Sequence, residues 1–214
     1  MSEIKILDGA MGSEFLKRGI SLPKHIWSAH ANIEAQEIVY GIHKEYKDAG
    51  ADYLTTNTFR STPRSYQKIG LNIEDATQTA EISLKNAVFQ AKKASEHKCK
   101  VLGSIAPLED CYSPNLFPGE NIAKEEFVQI GKWFIESQVD ILLLETMNSI
   151  VETKVCSDVI SSYDLPIWVS FVLKDRQHIL SGEKLSDAMK LLSNYNVDTL
   201  LINCNPLEIT KNAL

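Results

Sequence analysis

Residues 140–147 read DILLLETM. Four apolar residues follow one another without alternation, and a carboxylate and a hydroxyl come next. A strand with one face in water alternates apolar and polar side chains. An unbroken run is buried on both faces, as in a parallel sheet covered by helices. Similar short runs occur at 4–7, 53–56, 101–104, 167–171 and 199–202. Between them lie segments of helical period at 32–49, 73–95, 124–137, 150–161 and 184–194, with shorter helices expected at 13–18 and 63–69. In 32–49, Ala35, Ile38, Val39, Ile42, Tyr46 and Ala49 recur at three- and four-residue steps. Asn32 is the expected N-cap there and Gly50 the residue just past the end. The alternation defines an α/β fold. Such strands build either an open doubly wound sheet or most of a (β/α)8 barrel, and periodicity does not choose between them.

The bulk properties narrow the function. The chain has 214 residues, 44% of them apolar and 23% charged, enough for a sizeable core. The net charge is −6 and the basic residues are scattered, so no nucleic-acid footprint is present. No apolar run approaches the roughly 18 residues of a membrane span. The opening MSEIKILDGA lacks the basic and apolar regions of a secretion signal. The cysteines are Cys99, Cys111, Cys156 and Cys204, with no CxxC among them; in a cytoplasmic protein they stay reduced.

In both parallel architectures the active site gathers at the C-terminal ends of the strands. There the sequence places Asp8-Gly9, Thr56-Asn57-Thr58, Ser104-Ile105-Ala106, Glu145-Thr146 and Asn203-Cys204. Several strands thus aim a polar or reactive residue at one face, the pattern of an enzyme. The turn Asp8-Gly9-Ala10-Met11-Gly12 permits close backbone approach to a small ligand, and its N–H groups suit a carboxylate. It lacks the spacing of a dinucleotide fingerprint. Glu145, following four apolar residues, is expected half-buried and in need of a cationic or hydrogen-bonding partner. Cys204 is a candidate metal ligand, nucleophile or inert thiol. A nucleophile needs a base, for which His25, His30 and His178 lie in connections; His43 and His97 are expected on solvated helix faces. Cys156 is expected as a buried helical hydrophobe.

The motifs taken together resemble one family. ILDGAMGSEFLKRG (6–19), ADYLTTNTF (51–59), GSIAPLEDCYSPNLFP (103–118), DILLLETM (140–147), ILSGEKLSDAM (179–189) and LLINC (200–204) are similar, in order and spacing, to the homocysteine S-methyltransferase family, over essentially the whole chain. The resemblance implies a (β/α)8 TIM-barrel fold, with about six βα units in a single domain over 1–214 that is incomplete at its C-terminus. It implies transfer of a methyl group to the sulfur of homocysteine to form methionine, through a zinc-bound thiolate. S-methylmethionine, another sulfonium, betaine or a methylated folate would be the donor. Cys204 matches a zinc ligand. Asp8, Gly9 and Met11 match the substrate-binding turn, Asn57 joins them, and Glu145 matches the residue that holds the substrate ammonium. The family's other zinc ligands are an adjacent cysteine pair in a Gly-Gly-Cys-Cys stretch, and these 214 residues contain no adjacent cysteines. Expected partners are therefore homocysteine and a methyl donor, with no nucleic acid and no membrane, and with self-association through open barrel edges. A non-catalytic homologue that keeps part of the amino-acid site is the alternative.

Overall fold

A computed structural model describes residues 4–213. The chain divides into two compact units. The first runs to Ser104 and includes Trp133–Asp140; the second comprises Ile105–Lys132 and the chain from Ile141 onward. Of the parallel strands, two belong to the first unit and three to the second.

In the first unit, β1 (Tyr53–Thr55) and β2 (Lys100–Ile105) pair in parallel, Leu54 opposite Val101. The expected strand at 4–7 is reduced to one bridge, Leu7 with Tyr53. Its apolar side chains are not buried: Ile4 is 87% exposed and Ile6 53%. Extension there gains little from the hydrophobic effect. Helix α1 (Met11–Lys17) follows the Asp8 turn.

The helix expected over 32–49 is two helices, α2 (Ala31–Glu34) and α3 (Gln36–Asp48), separated at Ala35 with φ −145°. Asn32 is not the N-cap. It lies inside α2 with its side chain fully buried, and its amide donates to the carbonyl of Asn57 (2.8 Å) and to Ser83 Oγ (3.1 Å). Buried hydrogen bonding thus claims the residue that a free helix would use as a cap. Gly50 does end the helix, at φ +102°.

Helix α4 (Pro63–Gln67) starts where Thr62 Oγ1 accepts from the Ser65 N–H, and α5 (Ile73–Ser95) where Asn72 Oδ1 accepts from Asp75. Along α5, Ala76, Ala80, Leu84, Ala87, Ala91 and Ala94 form the buried stripe. Its small side chains let α3 pack closely against it.

In the second unit, β3 (Ile141–Met147), β4 (Ile167–Phe171) and β7 (Val197–Ile202) run parallel. Ile141 to Leu144 are all buried, as the unbroken apolar run demands. β3 continues through Glu145 and Thr146, with an irregularity between Leu144 and Met147. Helix α7 (Ile150–Ile160) is capped by Ser149, and α8 (Leu185–Leu192) precedes β7. Cys156 is fully buried in α7, where desolvation raises its thiol pKa well above the ordinary value. The hairpin β5–β6 (Leu173–Asp175, His178–Ile179) and helix α9 (Leu207–Ala213) have no counterpart among the sequence expectations. Helix α6 (Glu120–Glu136) begins in the second unit, and its last turn counts with the first.

One device recurs at the strand starts. Asp52 accepts from the Ile6 N–H (2.8 Å), Asp140 from Val101 (2.8 Å) and Asp198 from Ile167 (3.2 Å). Each aspartate directly precedes a strand or lies at its first residues, and each satisfies an amide at the start of the neighbouring run. The contexts Ala51-Asp52-Tyr53-Leu54, Val139-Asp140-Ile141-Leu142 and Val197-Asp198-Thr199-Leu200 share one pattern.

Candidate active site

In the first unit the Asp8 turn is built onto β1. The Asp8 N–H donates to the Tyr53 carbonyl (3.1 Å), and Asp8 Oδ2 accepts from the Thr55 N–H (2.8 Å). The Asp8 side chain is 2% exposed. A Cβ at Gly9 would lie 2.7 Å from Tyr46 Oη, so any larger residue here would displace the tyrosine ring. The Tyr46 hydroxyl donates to the Ala10 carbonyl (3.3 Å), so the ring closes over the turn. Burial, then the nearby Glu14 and Asp8 charges, pushes the Tyr46 phenol pKa upward. Met11 opens α1, half-buried against the cluster of Phe15, Ala31, Val39 and Ile42. Asn57 is buried after β1, its two amide hydrogens given to the Ser28 carbonyl and to Asn32 Oδ1, both at 2.8 Å.

Behind the turn lies a residue that sequence reading placed in solvent. His43 is fully buried, and Nδ1 is 3.9 Å from Asp8 Oδ2. Neither ring nitrogen has a hydrogen-bond partner. Burial pushes the imidazole pKa down to about 4. The signal was present: His43 lies four residues after Val39 and next to Ile42, within the buried stripe of α3. His97 does meet the expectation of exposure, although it lies just past the end of α5.

In the second unit the ends of β3 and β7 come together. Thr146 is fully buried with φ +61°, and Cys204 is exposed with φ +54°. Left-handed backbone at non-glycine residues is strained and persists where surroundings enforce it. Asn203 supplies the enforcement. Its Nδ2 donates to Thr146 Oγ1 (2.8 Å) and lies 3.6 Å from Cys204 Sγ, while Oδ1 accepts from Ser170 Oγ (2.8 Å). The Asn203 N–H extends the β4–β7 pairing by donating to Phe171 (3.2 Å). The Cys204 thiol is 4.0 Å from Thr146 Oγ1. Glu145, next to this frame, is half-buried as expected. Tyr112 borders the same thiol: burial, then the neighbouring Cys204 and Cys111, holds its phenol pKa up at about 12. Cys111 is buried, its carbonyl accepting from Asn148 Nδ2 (3.0 Å). Thr146 was marked only as a polar strand-end residue, and Ser170 and Tyr112 carried no distinguishing sequence signal, because their contacts exist only once the strands are paired.

Other expected partners are elsewhere. His178 turns Nδ1 to Asp175 in the β5–β6 hairpin (2.8 Å). Cys99 donates to the Ala51 carbonyl (3.0 Å) in the first unit. Shallow concavities of about 420 Å3 around His178 and Glu208, and about 470 Å3 around Cys99 and Lys100, include neither Glu145 nor Cys204. Among the described residues, no three His, Cys, Asp or Glu side chains are grouped to hold a metal ion. A catalytic zinc takes three protein ligands, and of the residues expected from sequence only Cys204 is offered for that role. The donor set among the described residues therefore does not fit a zinc site.

A parallel sheet with helices and a framed, polar set of strand ends defines an α/β protein whose candidate site lies at the strand ends. Comparisons carry this to a family. The family model for homocysteine S-methyltransferase matches residues 5–214, and the chain belongs to that family. Homocysteine S-methyltransferase from Escherichia coli is 28% identical, the match covering 99% of this chain and 73% of that protein. Homocysteine S-methyltransferase YbgG from Bacillus subtilis is also 28% identical, over 95% of this chain and 70% of its own length. The crystal structure of the homocysteine methyltransferase MmuM from Escherichia coli, in its metallated form, superposes with a TM-score of 0.90, covering 99% of this chain and 78% of that one at 28% identity. Among the described residues no helix is long and apolar enough to cross a membrane.

Proposed function

We propose that this chain transfers a methyl group from an activated donor to the sulfur of homocysteine, giving methionine. The homocysteine S–H bond and the donor–CH3 bond break, the S–CH3 bond forms, and the thiol proton leaves to solvent. A free thiol has a pKa near 8.5, so thiolate is scarce at neutral pH. The observation that carries the reading is the strained Thr146–Asn203–Cys204 frame beside half-buried Glu145. Such strain collects at functional sites. In this reading Glu145 holds the substrate ammonium. The turn of Asp8, Gly9 and Met11 and the neighbouring Asn57 belong to the amino-acid site.

Zinc as the thiol's partner rests on the family resemblance, and the metallated form of MmuM supports a metal there without naming it. Cys204 would be its ligand from this chain, and no step here is routed through the metal. The incomplete donor set also supports a second reading, a homologue that binds the amino acid without turnover. Self-association is supported by exposed Ile4, Ile6 and Leu7 in one unit and Leu200 on β7 in the other. A cytoplasmic setting is inferred from four free cysteines.

The test is methionine formation from L-homocysteine and a panel of methyl donors, with bound zinc per chain measured in parallel. Glu145→Gln is expected to weaken homocysteine binding about tenfold or more, the worth of one charged hydrogen bond. Unchanged affinity in that variant would remove Glu145 from the site. Homocysteine binding without methionine formation would favour the second reading.

A further inference from the structure

We infer that His43 is a positioning residue for the Asp8 turn: its uncharged imidazole presents Nδ1–H to the Asp8 carboxylate and closes on it when the substrate's amino-acid end engages the turn. The inference rests on the proposed homocysteine site. It begins from an anomaly. Buried polar atoms nearly always find partners, yet both nitrogens of a fully buried imidazole have none. The nearest acidic group is the Asp8 carboxylate, with Nδ1 3.9 Å from Oδ2, about 1 Å beyond hydrogen-bond length. The same oxygen, Oδ2, accepts from the Thr55 N–H at 2.8 Å. Tyr46, on the same helix as His43, covers the turn from above through Ala10 and against Gly9.

The arrangement has three consequences. First, a protonated imidazole here would bring a full charge against Asp8, whereas a neutral one offers it only a hydrogen bond. Second, a donor left unmade in the free protein favours any movement that makes the bond. A small inward shift of the turn would make it, and ligand contact with residues after Asp8 would drive that shift. Third, the tautomer is fixed by role. Only Nδ1–H can donate to Asp8, and with that nitrogen the one 3.9 Å from a carboxylate oxygen the nearby acidic group favours the proton on Nδ1 before the bond closes. Asn32 shows the contrast: its buried amide is fully engaged by Asn57, Ser61 and Ser83 and acts as a static latch.

The experiment uses the whole chain. Long-range 1H–15N correlation reads the His43 tautomer without ligand, and calorimetry reads binding of L-homocysteine and of L-methionine. Neutral Nδ1–H is expected at pH 7 in the wild type. His43→Ala should weaken both amino acids about tenfold, the equilibrium worth of one hydrogen bond. His43→Asn, which places an amide N–H near the Nδ1 position, should recover most of the loss. In an Asp8→Asn background His43→Ala should add little, since the two act as a unit. A structural role alone would lower the melting temperature of His43→Ala and leave both affinities unchanged, which overturns the inference. Finding Nε2–H also overturns it. If the wild type binds neither amino acid, the methyltransferase reading fails, and the tautomer still decides whether His43 serves Asp8.

Discussion

The stability of this protein should fall with acid in a way traceable to one imidazole. His43 is fully buried, and burial pushes its pKa from 6.5 down to about 4. Between those values the unfolded chain binds a proton that the folded chain does not. The contribution is therefore complete above 6.5, declines as pH falls through that value, and is fully lost near 4. From pH 7 to pH 5, linkage with these two values gives a loss of about 2 kcal/mol, and the whole span amounts to about 3 kcal/mol. Urea unfolding followed by tryptophan fluorescence at pH 7 and pH 5 measures it, in the wild type and in His43→Asn. The carboxylates and the other histidines titrate in both proteins, so their share cancels in the comparison. The variant's lower absolute stability does not matter, because only the pH slopes are compared. The wild type should lose about 2 kcal/mol more than the variant. Parallel losses in the two proteins would refute the reasoning, since they would mean that His43 is hydrated or paired in the folded state.

Two further expectations concern the frame and the strand starts. Asn203→Ala removes the amide between Thr146 and Cys204, so iodoacetamide should alkylate Cys204 at a rate changed several-fold; an unchanged rate would mean that backbone pairing alone places the thiol. Asp140→Ala strips the Val101 N–H of its acceptor and Lys100 of its ion-pair partner, and should cost about 1–3 kcal/mol in urea unfolding, most of it restored by Asp140→Asn, which keeps the acceptor; equal losses in both variants would assign the effect to the exposed ion pair.

The parts of the fold legible in the sequence are those fixed by burial along a single segment. DILLLETM reads as a doubly buried strand because the hydrophobic effect acts on consecutive residues, and β3, β4 and the stripe of α5 follow that rule. Segment 4–7 obeys the same pattern and yields only a bridge, because an apolar run needs something to bury it and Ile4 and Ile6 remain exposed. The split at Ala35 was not legible, since a partner 25 residues away in sequence, Asn57, holds Asn32 inside α2. The β5–β6 hairpin lacks the Asn-Gly or Asp-Gly that advertises a tight turn; Arg176-Gln177 stands there instead, with Asp175 accepting from the Gln177 and His178 N–H groups.

The same distinction separates the two halves of the site chemistry. Residue types at strand ends, Glu145 and Cys204 among them, can be listed from sequence because chain direction alone puts them there. What holds them cannot. Thr146 reads only as one more polar residue at a strand end, yet it takes a left-handed φ where Asn203, 57 residues away in sequence, binds its hydroxyl and Ser170 binds Asn203. The spacing of His43 from Val39 and Ile42 marks it for burial, but nothing in the sequence pairs it with Asp8, 35 residues away. A motif therefore names the groups that meet a substrate, whereas their geometry is set by residues whose types are ordinary and whose partners are distant. It follows that substitutions at Asn203, Ser170 or His43 are the sharper probes of this site, because each leaves the motif intact and changes only what the fold adds to it.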